Sequence, residues 1–283
     1  VGGYLQLSGS NVDIIANEIG GVGLYGNGTP TFAVRVANNK VRSIAMLGCK
    51  DSEVINNTVL GSIWISRSTN IDVINNTVIS HGHTNGIELY AGSNNIRLIS
   101  NTLMYHDSGI LIWDGSTNNL VSSNHILHNS FGLKALEPGN KFYSNIICWN
   151  TVSDVWSVED NTGDENTCDK PWYNIFYWND SGTTGCTYAC TDSEPPTMRN
   201  ILINDDATFT NSLLVTLTLL ADDGVGSGID SCGYSNDGIN FVDWGPYVAT
   251  KSWTLAPGPD GVRTVWYRCK DKQGNLADPI SDT

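Results

Sequence analysis

An asparagine that returns about every twenty residues constrains this chain more than any other feature. Apolar residues lie three positions before it and two positions after it, as Val73 and Val78 do around Asn76. A period of this length is typical of solenoids, in which each repeat stacks on the next. The repeated residue occurs at spacings of 22, 18, 19, 25, 23 and 21: Asn17, Asn39, Asn57, Asn76, Asn101, Asn124 and Asn145.

Each repeat also contains short apolar strands between polar turns. Gly-Ile-Glu-Leu-Tyr at 86–90 and Gly-Ile-Leu-Ile-Trp at 109–113 are two examples. Strands of four or five residues that recur with this period predict a parallel β-helix, since no single repeat can bury its apolar face alone. Stacked asparagines would then hydrogen-bond along the axis, so we interpret the asparagine columns as structural.

Composition and charge exclude several classes of protein. The chain has 15 Lys and Arg against 29 Asp and Glu, a net charge of −14, which excludes a basic nucleic-acid-binding protein. Its hydrophobic content of 40% excludes a disordered acidic tail. No apolar run approaches the ~18 residues that span a bilayer, which predicts that the chain is not an integral membrane protein. It opens with no charged-then-apolar leader, so we expect that any leader has been removed.

Cysteines and glycosylation sequons indicate an oxidising, extracytoplasmic setting. The sequons begin at Asn27, Asn56, Asn75 and Asn179. Two disulfides of unknown pairing are expected among the four cysteines of a stretch without clear periodicity, and zinc binding by the last three is the alternative. These four are Cys148, Cys168, Cys186 and Cys190. Cys49 shares a column of small residues with Ser68, Ser93 and Ser116 and is the candidate free thiol.

The repeat stops before the last third of the chain. Residues 191–198 have the composition of a linker, with a Pro pair that favours extended backbone. Beyond them, apolar and polar residues alternate between turn signals, which predicts an antiparallel sandwich. In one of its loops Asp222 and Asp223 could hold calcium, although a glycine-rich turn explains the same residues.

Two family resemblances follow from these motifs. The pattern that is clearest from Gly86 through Thr102 resembles the parallel β-helix repeat of the pectate-lyase-like superfamily, in particular its secreted carbohydrate-binding and sugar-hydrolase group and the periplasmic copper-protein maturation factors. Residues 166–169 and 182–190 are similar to the disulfide-rich ending of many secreted archaeal and bacterial β-helix proteins, which implies a cap. Residues 234–275 resemble the Ig-like repeats of prokaryotic surface proteins, and with Cys232 and Cys269 on two strands of that sandwich we expect them to pair.

The predicted fold is therefore all-β. A right-handed parallel β-helix is expected over residues 1–160, a disulfide-rich cap and linker over 161–194, and an Ig-like β-sandwich over 195–283.

Histidines supply the candidate chemistry, since all five lie between residues 81 and 128. His81 and His106 share a column, with His83 and Asp107 beside them, a set that could bind a metal or transfer protons. The resemblance implies that a lyase of this superfamily would carry a calcium-bound acidic cluster and a hydrolase three aspartates with Gly-His-Gly, and neither set is present. An enzyme is therefore the less favoured prediction, with His81, His106, Asp107 and Asp114 as its candidate catalytic residues.

Aromatic residues at outward strand positions favour a binding role instead. Trp64, Tyr90 and Trp113 lie on successive repeats with Glu88 and Asp114 near them, a pattern that predicts a surface on which sugars stack.

The two ends of the sequence suggest partners. The chain opens in the strand-like segment 3–7 and stops at 280–283, and both ends are expected to be covered by copies of the chain or by neighbouring segments of a surface protein. The leading prediction is a secreted or cell-surface structural and adhesive protein, a subunit of a filament, sheath or surface layer, with no cofactor other than calcium. A glycan-binding module and a polysaccharide lyase, hydrolase or epimerase are the alternatives.

Overall fold

The computed structural model describes residues 4–7, 11–25, 31–80 and 82–283. The chain divides into two compact units, Val1–Cys190 and Thr191–Thr283. All regular secondary structure in the described residues is β. No helix in this part of the chain has the length and apolar character that crossing a membrane requires.

The first unit is built from a 13-stranded sheet, a 9-stranded sheet and a 2-stranded hairpin. Its strands are β1 (Tyr4–Leu7), β2 (Val12–Ile15), β3 (Glu18–Ile19), β4 (Gly21–Tyr25), β5 (Thr31–Phe32), β6 (Val34–Ala37), β7 (Lys40–Leu47), β8 (Cys49–Ile55), β9 (Thr58–Ser66), β10 (Thr69–Ile74), β11 (Thr77–Ile79), β12 (Asn85–Tyr90), β13 (Arg97–Ile99), β14 (Thr102–Met104), β15 (Ser108–Ile112), β16 (Leu120–Ser122), β17 (His125–Leu127), β18 (Phe131–Ala135), β19 (Lys141–Tyr143), β20 (Ile146–Cys148), β21 (Ser153–Ser157), β22 (Thr162–Asp164), β23 (Trp172–Tyr173) and β24 (Phe176–Tyr177).

The order of these strands confirms the predicted parallel β-helix. The smaller sheet follows the path β2-β6-β8-β10-β13-β16-β19-β22, with one strand from each coil. Equivalent residues stack, so that Val73 lies opposite Val54 on one side and Leu98 on the other. In the larger sheet β9 turns a corner without interruption and pairs with both β11 and β12, whereas later coils have separate strands on the two faces. The parallel register is what makes like residues neighbours along the axis.

The repeated asparagines form a continuous ladder beside the aliphatic core. Oδ1 of Asn76 accepts hydrogen bonds from the backbone amide and from Nδ2 of Asn57, both at 2.9 Å. The same pair of bonds joins successive ladder asparagines from Asn101 to Asn166. Each buried amide group therefore finds a partner on the next coil, which confirms the structural interpretation of this column.

Disulfides close the far end of the first unit. Cys148 bonds to Cys190 with Cα atoms 5.8 Å apart, and Cys168 bonds to Cys186 with Cα atoms 5.6 Å apart. These two bonds supply the pairing that the sequence left open, and they remove the three thiols on which the zinc alternative depended. Cys49 is a buried, free cysteine. Its backbone amide donates to Oγ of Ser68, whose own amide donates to Ser93, so the column of small residues is real.

The second unit contains two antiparallel sheets that pack against one another. Their strands are β25 (Thr197–Ile203), β26 (Leu214–Asp222), β27 (Ile229–Ser235), β28 (Val242–Gly245), β29 (Thr250–Thr254), β30 (Val265–Asp271) and β31 (Ile280–Asp282), in the orders β25-β26-β29 and β28-β27-β30-β31. Residues of both sheets, such as Leu217 and Tyr267, share one buried core. A disulfide joins Cys232 to Cys269, which lie directly opposite one another on β27 and β30.

Candidate functional site

Aromatic and charged side chains cover one outward surface of the β-helix. Trp64, on β9, lies opposite Glu88, on β12, and Trp113 immediately follows β15. The rings of Tyr90 and Trp113 stack with centroids 6.1 Å apart and an angle of 21° between their planes. The two tryptophans are 37% and 39% exposed, unusually high values for such large apolar side chains. The structure thus brings Tyr90 and Trp113 together, with Trp64 one column away.

Glu88 is held in place among these rings. Its Oε1 accepts a hydrogen bond from Nε1 of Trp113 at 2.8 Å, and its Oε2 accepts one from Nδ2 of Asn85 at 3.0 Å. Two donors from different coils therefore orient one carboxylate, which retains lone pairs for further donors.

A second group of aromatic residues continues the same surface. Phe131, Trp156 and Tyr173 contact one another with centroids 4.3 to 5.6 Å apart. Nζ of Lys134 lies 4.2 Å from the ring centroid of Trp156 and 5.1 Å from that of Phe131, within cation–π distance. Burial against these rings lowers the pKa of Lys134 from its usual value.

We call this surface the aromatic face, and it comprises the rings of Trp64, Tyr90, Trp113, Phe131, Trp156 and Tyr173 with the charged groups of Glu88 and Lys134. One outward column runs through it in register across five coils: Trp64, Glu88, Leu111, Lys134 and Trp156. Four steps of the ~4.8 Å strand spacing give the column a length of about 19 Å. The sequence analysis predicted the part of this column that contains Trp64 and Glu88. It did not predict the part that contains Leu111, Lys134 and Trp156. The signal was available, because Leu111, Lys134 and Trp156 each lie three positions after the first residue of β15, β18 or β21, as Glu88 does in β12.

The structure describes three of the four candidate catalytic residues, and their surroundings differ. His106 is buried, and its Nε2 lies 3.1 Å from the carbonyl oxygen of Val78, to which it donates. Burial lowers the pKa of His106 below its usual value, which keeps the ring neutral. Nδ1 of His83 lies 3.2 Å from Oδ1 of Asp107 on the surface, and Asp114 is exposed in a turn with a φ of 53°. His81 lies outside the described residues.

Another histidine belongs to a stacked column on a different corner. The ring of His128 lies between those of Tyr105 and Trp149, with centroids 5.9 and 5.6 Å away. This column follows β14, β17 and β20, so it does not extend the aromatic face.

A polar groove of about 990 Å³ follows the smaller sheet of the β-helix. Arg35 pairs with Glu53 of the next coil, with Nε and Oε1 2.5 Å apart, and Arg97 pairs with Asp72 of the preceding coil. These four charges therefore neutralise one another across coils. The sequence reasoning did not find this groove, whose pairs are formed between residues 18 to 25 positions apart.

The candidate glycosylation and calcium residues lie at the surface or near it. Asn56, Asn75 and Asn179 are exposed, whereas Asn27 lies outside the described residues. Glycosylation of these sequons stays a prediction. Asp222 is exposed and lies 3.8 Å from Arg199, while Asp223 is half-buried and faces other carboxylates.

Soft-metal ligands are scattered in the described residues. Met46 and Cys49 lie in the aliphatic core, where burial raises the pKa of the Cys49 thiol to about 11. The ligand atoms of Asp192, Asp223 and Asp271 lie within 4.8 Å of one another, and this is the single group of three or more His, Cys, Asp or Glu side chains that meets this distance among the described residues. Copper prefers imidazole, thiolate and thioether ligands, so the described residues do not fit a copper ion.

Comparison with known proteins agrees with the architecture. Residues 4–193, which include the whole asparagine ladder and all four cysteines of the cap, match the sequence profile of the family described as "Periplasmic copper-binding protein (NosD)". No curated protein matches the chain. The match and the disulfides indicate a non-cytoplasmic location, extracellular or periplasmic. Because the match covers about two thirds of the chain, the protein belongs to the NosD family of periplasmic β-helix proteins.

Proposed function

We propose that this protein is a non-catalytic, adhesive protein at the cell surface that binds a polysaccharide chain along the aromatic face. In this proposal the C-terminal sandwich is the Ig-like surface module that its sequence resembles. The observation that carries the proposal is the run of aromatic and charged side chains in register over five coils.

The chemistry of the face suits a sugar polymer. Sugar rings have apolar C–H faces that pack on aromatic side chains, and hydroxyl groups that need hydrogen-bond partners. Trp64 and Trp113 supply exposed apolar area, and the oriented carboxylate of Glu88 accepts hydrogen bonds from hydroxyl groups. A column of about 19 Å can contact several consecutive sugar units, which gives many weak contacts along one chain.

The polar groove is the weaker candidate for the same role. Its arginines are engaged by Glu53 and Asp72, so a ligand would first have to replace an ion pair with an equally good contact. A buried, neutral His106 likewise gives no accessible base, which is why the proposal contains no catalytic step.

Affinity electrophoresis of the full chain against soluble neutral and acidic polysaccharides tests this function. Binding of at least one polysaccharide is expected, with Trp113→Ala and Trp64→Ala each raising its Kd about tenfold, roughly 1.4 kcal/mol. Tyr143→Ala is the matched control, because Tyr143 is 37% exposed but lies on the smaller sheet, and it should bind normally. Binding of none of the polysaccharides, or equal binding by the tryptophan variants and the parent chain, would overturn the proposal.

Self-assembly is the second candidate, and the same surface favours it, since large exposed apolar patches also mark contacts between proteins. A subunit of a filament, sheath or surface layer would associate as its concentration rises. Light scattering of the full chain over a hundredfold concentration range would then show growing particles, and Trp113→Ala would abolish them while Tyr143→Ala would not. A constant monomer mass would eliminate this candidate.

A further inference from the structure

Three carboxylates from distant parts of the chain meet at one end of the second unit. Asp192 precedes β25, Asp223 follows β26, and Asp271 is the last residue of β30. Their ligand oxygens lie within 4.8 Å of one another. Asp271 is almost fully buried, and the other two are half-buried.

This arrangement is electrostatically unfavourable as it stands. No Lys, Arg or His in the described residues lies within ion-pair distance of the three carboxylates. Like charges at this separation repel one another strongly where water is excluded.

Backbone amides nevertheless hold the carboxylates in place. The amide of Ser227 donates to Oδ2 of Asp192 at 2.6 Å, and the amide of Gly228 donates to Oδ2 of Asp223 at 2.6 Å. Nδ2 of Asn275 donates both to Oδ2 of Asp271 at 2.7 Å and to the carbonyl oxygen of Asp192 at 3.0 Å. The group is thus oriented before any ligand arrives, as preorganised binding requires.

Gly226 keeps the space between two of these carboxylates open. A Cβ atom at this position would lie 2.6 Å from Oδ2 of Asp223 and 2.7 Å from Oδ2 of Asp192. Any residue other than glycine would therefore occupy the space that the two oxygens share.

A buried hydroxyl group on the same loop is a separate sign of a missing partner. Ser227 is fully buried, and its Oγ has no hydrogen-bond partner in the structure. The backbone amide of the same residue donates to Oδ2 of Asp192, so the unpartnered hydroxyl belongs to a residue that contacts the carboxylate group. Buried polar groups in folded proteins almost always have a partner, and a cation or its bound water would supply one here.

We propose that Asp192, Asp223 and Asp271 form a binding site for a hard divalent cation, which we assign as Ca²⁺. Carboxylate, carbonyl and hydroxyl oxygens are the ligands that Ca²⁺ accepts, in numbers from six to eight and in flexible geometry. Mg²⁺ requires a near-ideal octahedron, and copper prefers nitrogen and sulfur. The site would fasten the segment before β25 to the ends of β26 and β30.

Calorimetric titration of the metal-depleted full chain with CaCl₂ tests the assignment. One saturable site is expected, with Asp223→Asn and Asp192→Asn each weakening Ca²⁺ binding at least tenfold. Asp260→Asn is the matched control, because Asp260 is exposed and outside the group, and it should bind as the parent chain does. A thermal unfolding midpoint that rises with Ca²⁺ in the parent chain and in Asp260→Asn, but less in Asp223→Asn, is the second expected result.

Three results would overturn the proposal. One is the absence of Ca²⁺ binding at millimolar concentration. Another is equal binding by Asp223→Asn and the parent chain while both remain folded by circular dichroism. The third is tighter binding of Mg²⁺ than of Ca²⁺ at these same carboxylates.

Discussion

The side-chain oxygen of Asn124 accepts two hydrogen bonds from Asn101 on the preceding coil, one from the backbone amide at 2.9 Å and one from Nδ2 at 3.0 Å. Nδ2 of Asn124 in turn donates to the carbonyl oxygen of Leu98 at 2.8 Å and to Oδ1 of Asn145 at 3.0 Å. One side chain therefore satisfies buried groups on the coils before and after its own.

Replacing this asparagine should be costly. Asn124→Ala removes the acceptor of the Asn101 backbone amide, one of the two acceptors of Asn101 Nδ2 and a donor to the carbonyl oxygen of Leu98, in a site closed to water. We expect the free energy of unfolding, measured in urea, to fall by about 3 kcal/mol or more. Asn118→Gly is the control, since Asn118 is exposed with a φ of 56°, which glycine adopts freely, and its effect should stay within about 0.5 kcal/mol. Equal losses in the two variants would refute the ladder's energetic role.

The ladder ends on a carboxylate instead of another asparagine. Asp180 accepts from the amide and Nδ2 of Asn166 at 2.8 and 2.7 Å, from Nε1 of Trp178 at 2.8 Å and from the amide and hydroxyl of Thr187, both at 2.9 Å. Asp180→Asn would turn an NH₂ group toward donors, so we expect a loss of about 2–4 kcal/mol in the same urea assay. Asp160→Asn, at an exposed turn, should be nearly neutral. A stable Asp180→Asn variant would show that the cap tolerates an amide at this position.

Glycines near the start of equivalent strands allow neighbouring coils to approach one another closely. A Cβ on Gly132 would lie 2.4 Å from Cγ2 of Ile147 and 2.5 Å from the carbonyl oxygen of Asp154. Gly132→Ala should therefore lower the thermal unfolding midpoint by several degrees, because the backbone must shift. For Gly82→Ala the nearest atom would be Oγ of Ser80 at 3.8 Å, so no clash arises and the midpoint should hardly change. Similar midpoints for the two variants would contradict this reading of the coil contacts.

The parallel fold could be predicted because its stabilising contacts repeat. Every ladder asparagine has the same kinds of neighbours, and the next asparagine follows after 18 to 25 residues, so the sequence pattern specifies which residues contact one another in the fold. Asp180 could not be found in this way, since it lies 14 residues after Asn166 in a segment with no period. The group of Asp192, Asp223 and Asp271 is harder still to predict, because the antiparallel fold brings together carboxylates whose positions in the sequence have no regular spacing. On the aromatic face, the two tryptophans were evident from outward strand positions, whereas the contact of Lys134 with Trp156 needed the exact register.

The buried thiol of Cys49 should make the stability of the protein depend on pH. Burial in the aliphatic core raises the pKa of this thiol from about 9 to about 11, against a smaller opposite effect of the Leu47 backbone. Between pH 9 and 11 the unfolded chain loses the thiol proton while the folded chain keeps it. The contribution to stability is therefore complete below pH 9 and is lost as the pH rises through 11, by about 2–3 kcal/mol.

Cys49→Ser removes only the thiol. The tyrosines of the variant titrate as they do in the parent chain and its disulfides persist, so the difference between the two proteins isolates the contribution of Cys49. The column already accepts hydroxyl groups at Ser68 and Ser93, so the variant should fold. We expect the stability of the parent chain, measured in urea without reductant, to fall more steeply from pH 9 to 11 than that of Cys49→Ser. The native parent chain should also resist iodoacetamide at pH 8 and react with it once unfolded, since a buried protonated thiol is a poor nucleophile. Rapid alkylation of the native chain, or parallel pH profiles for the two proteins, would show that the thiol is accessible and its pKa ordinary.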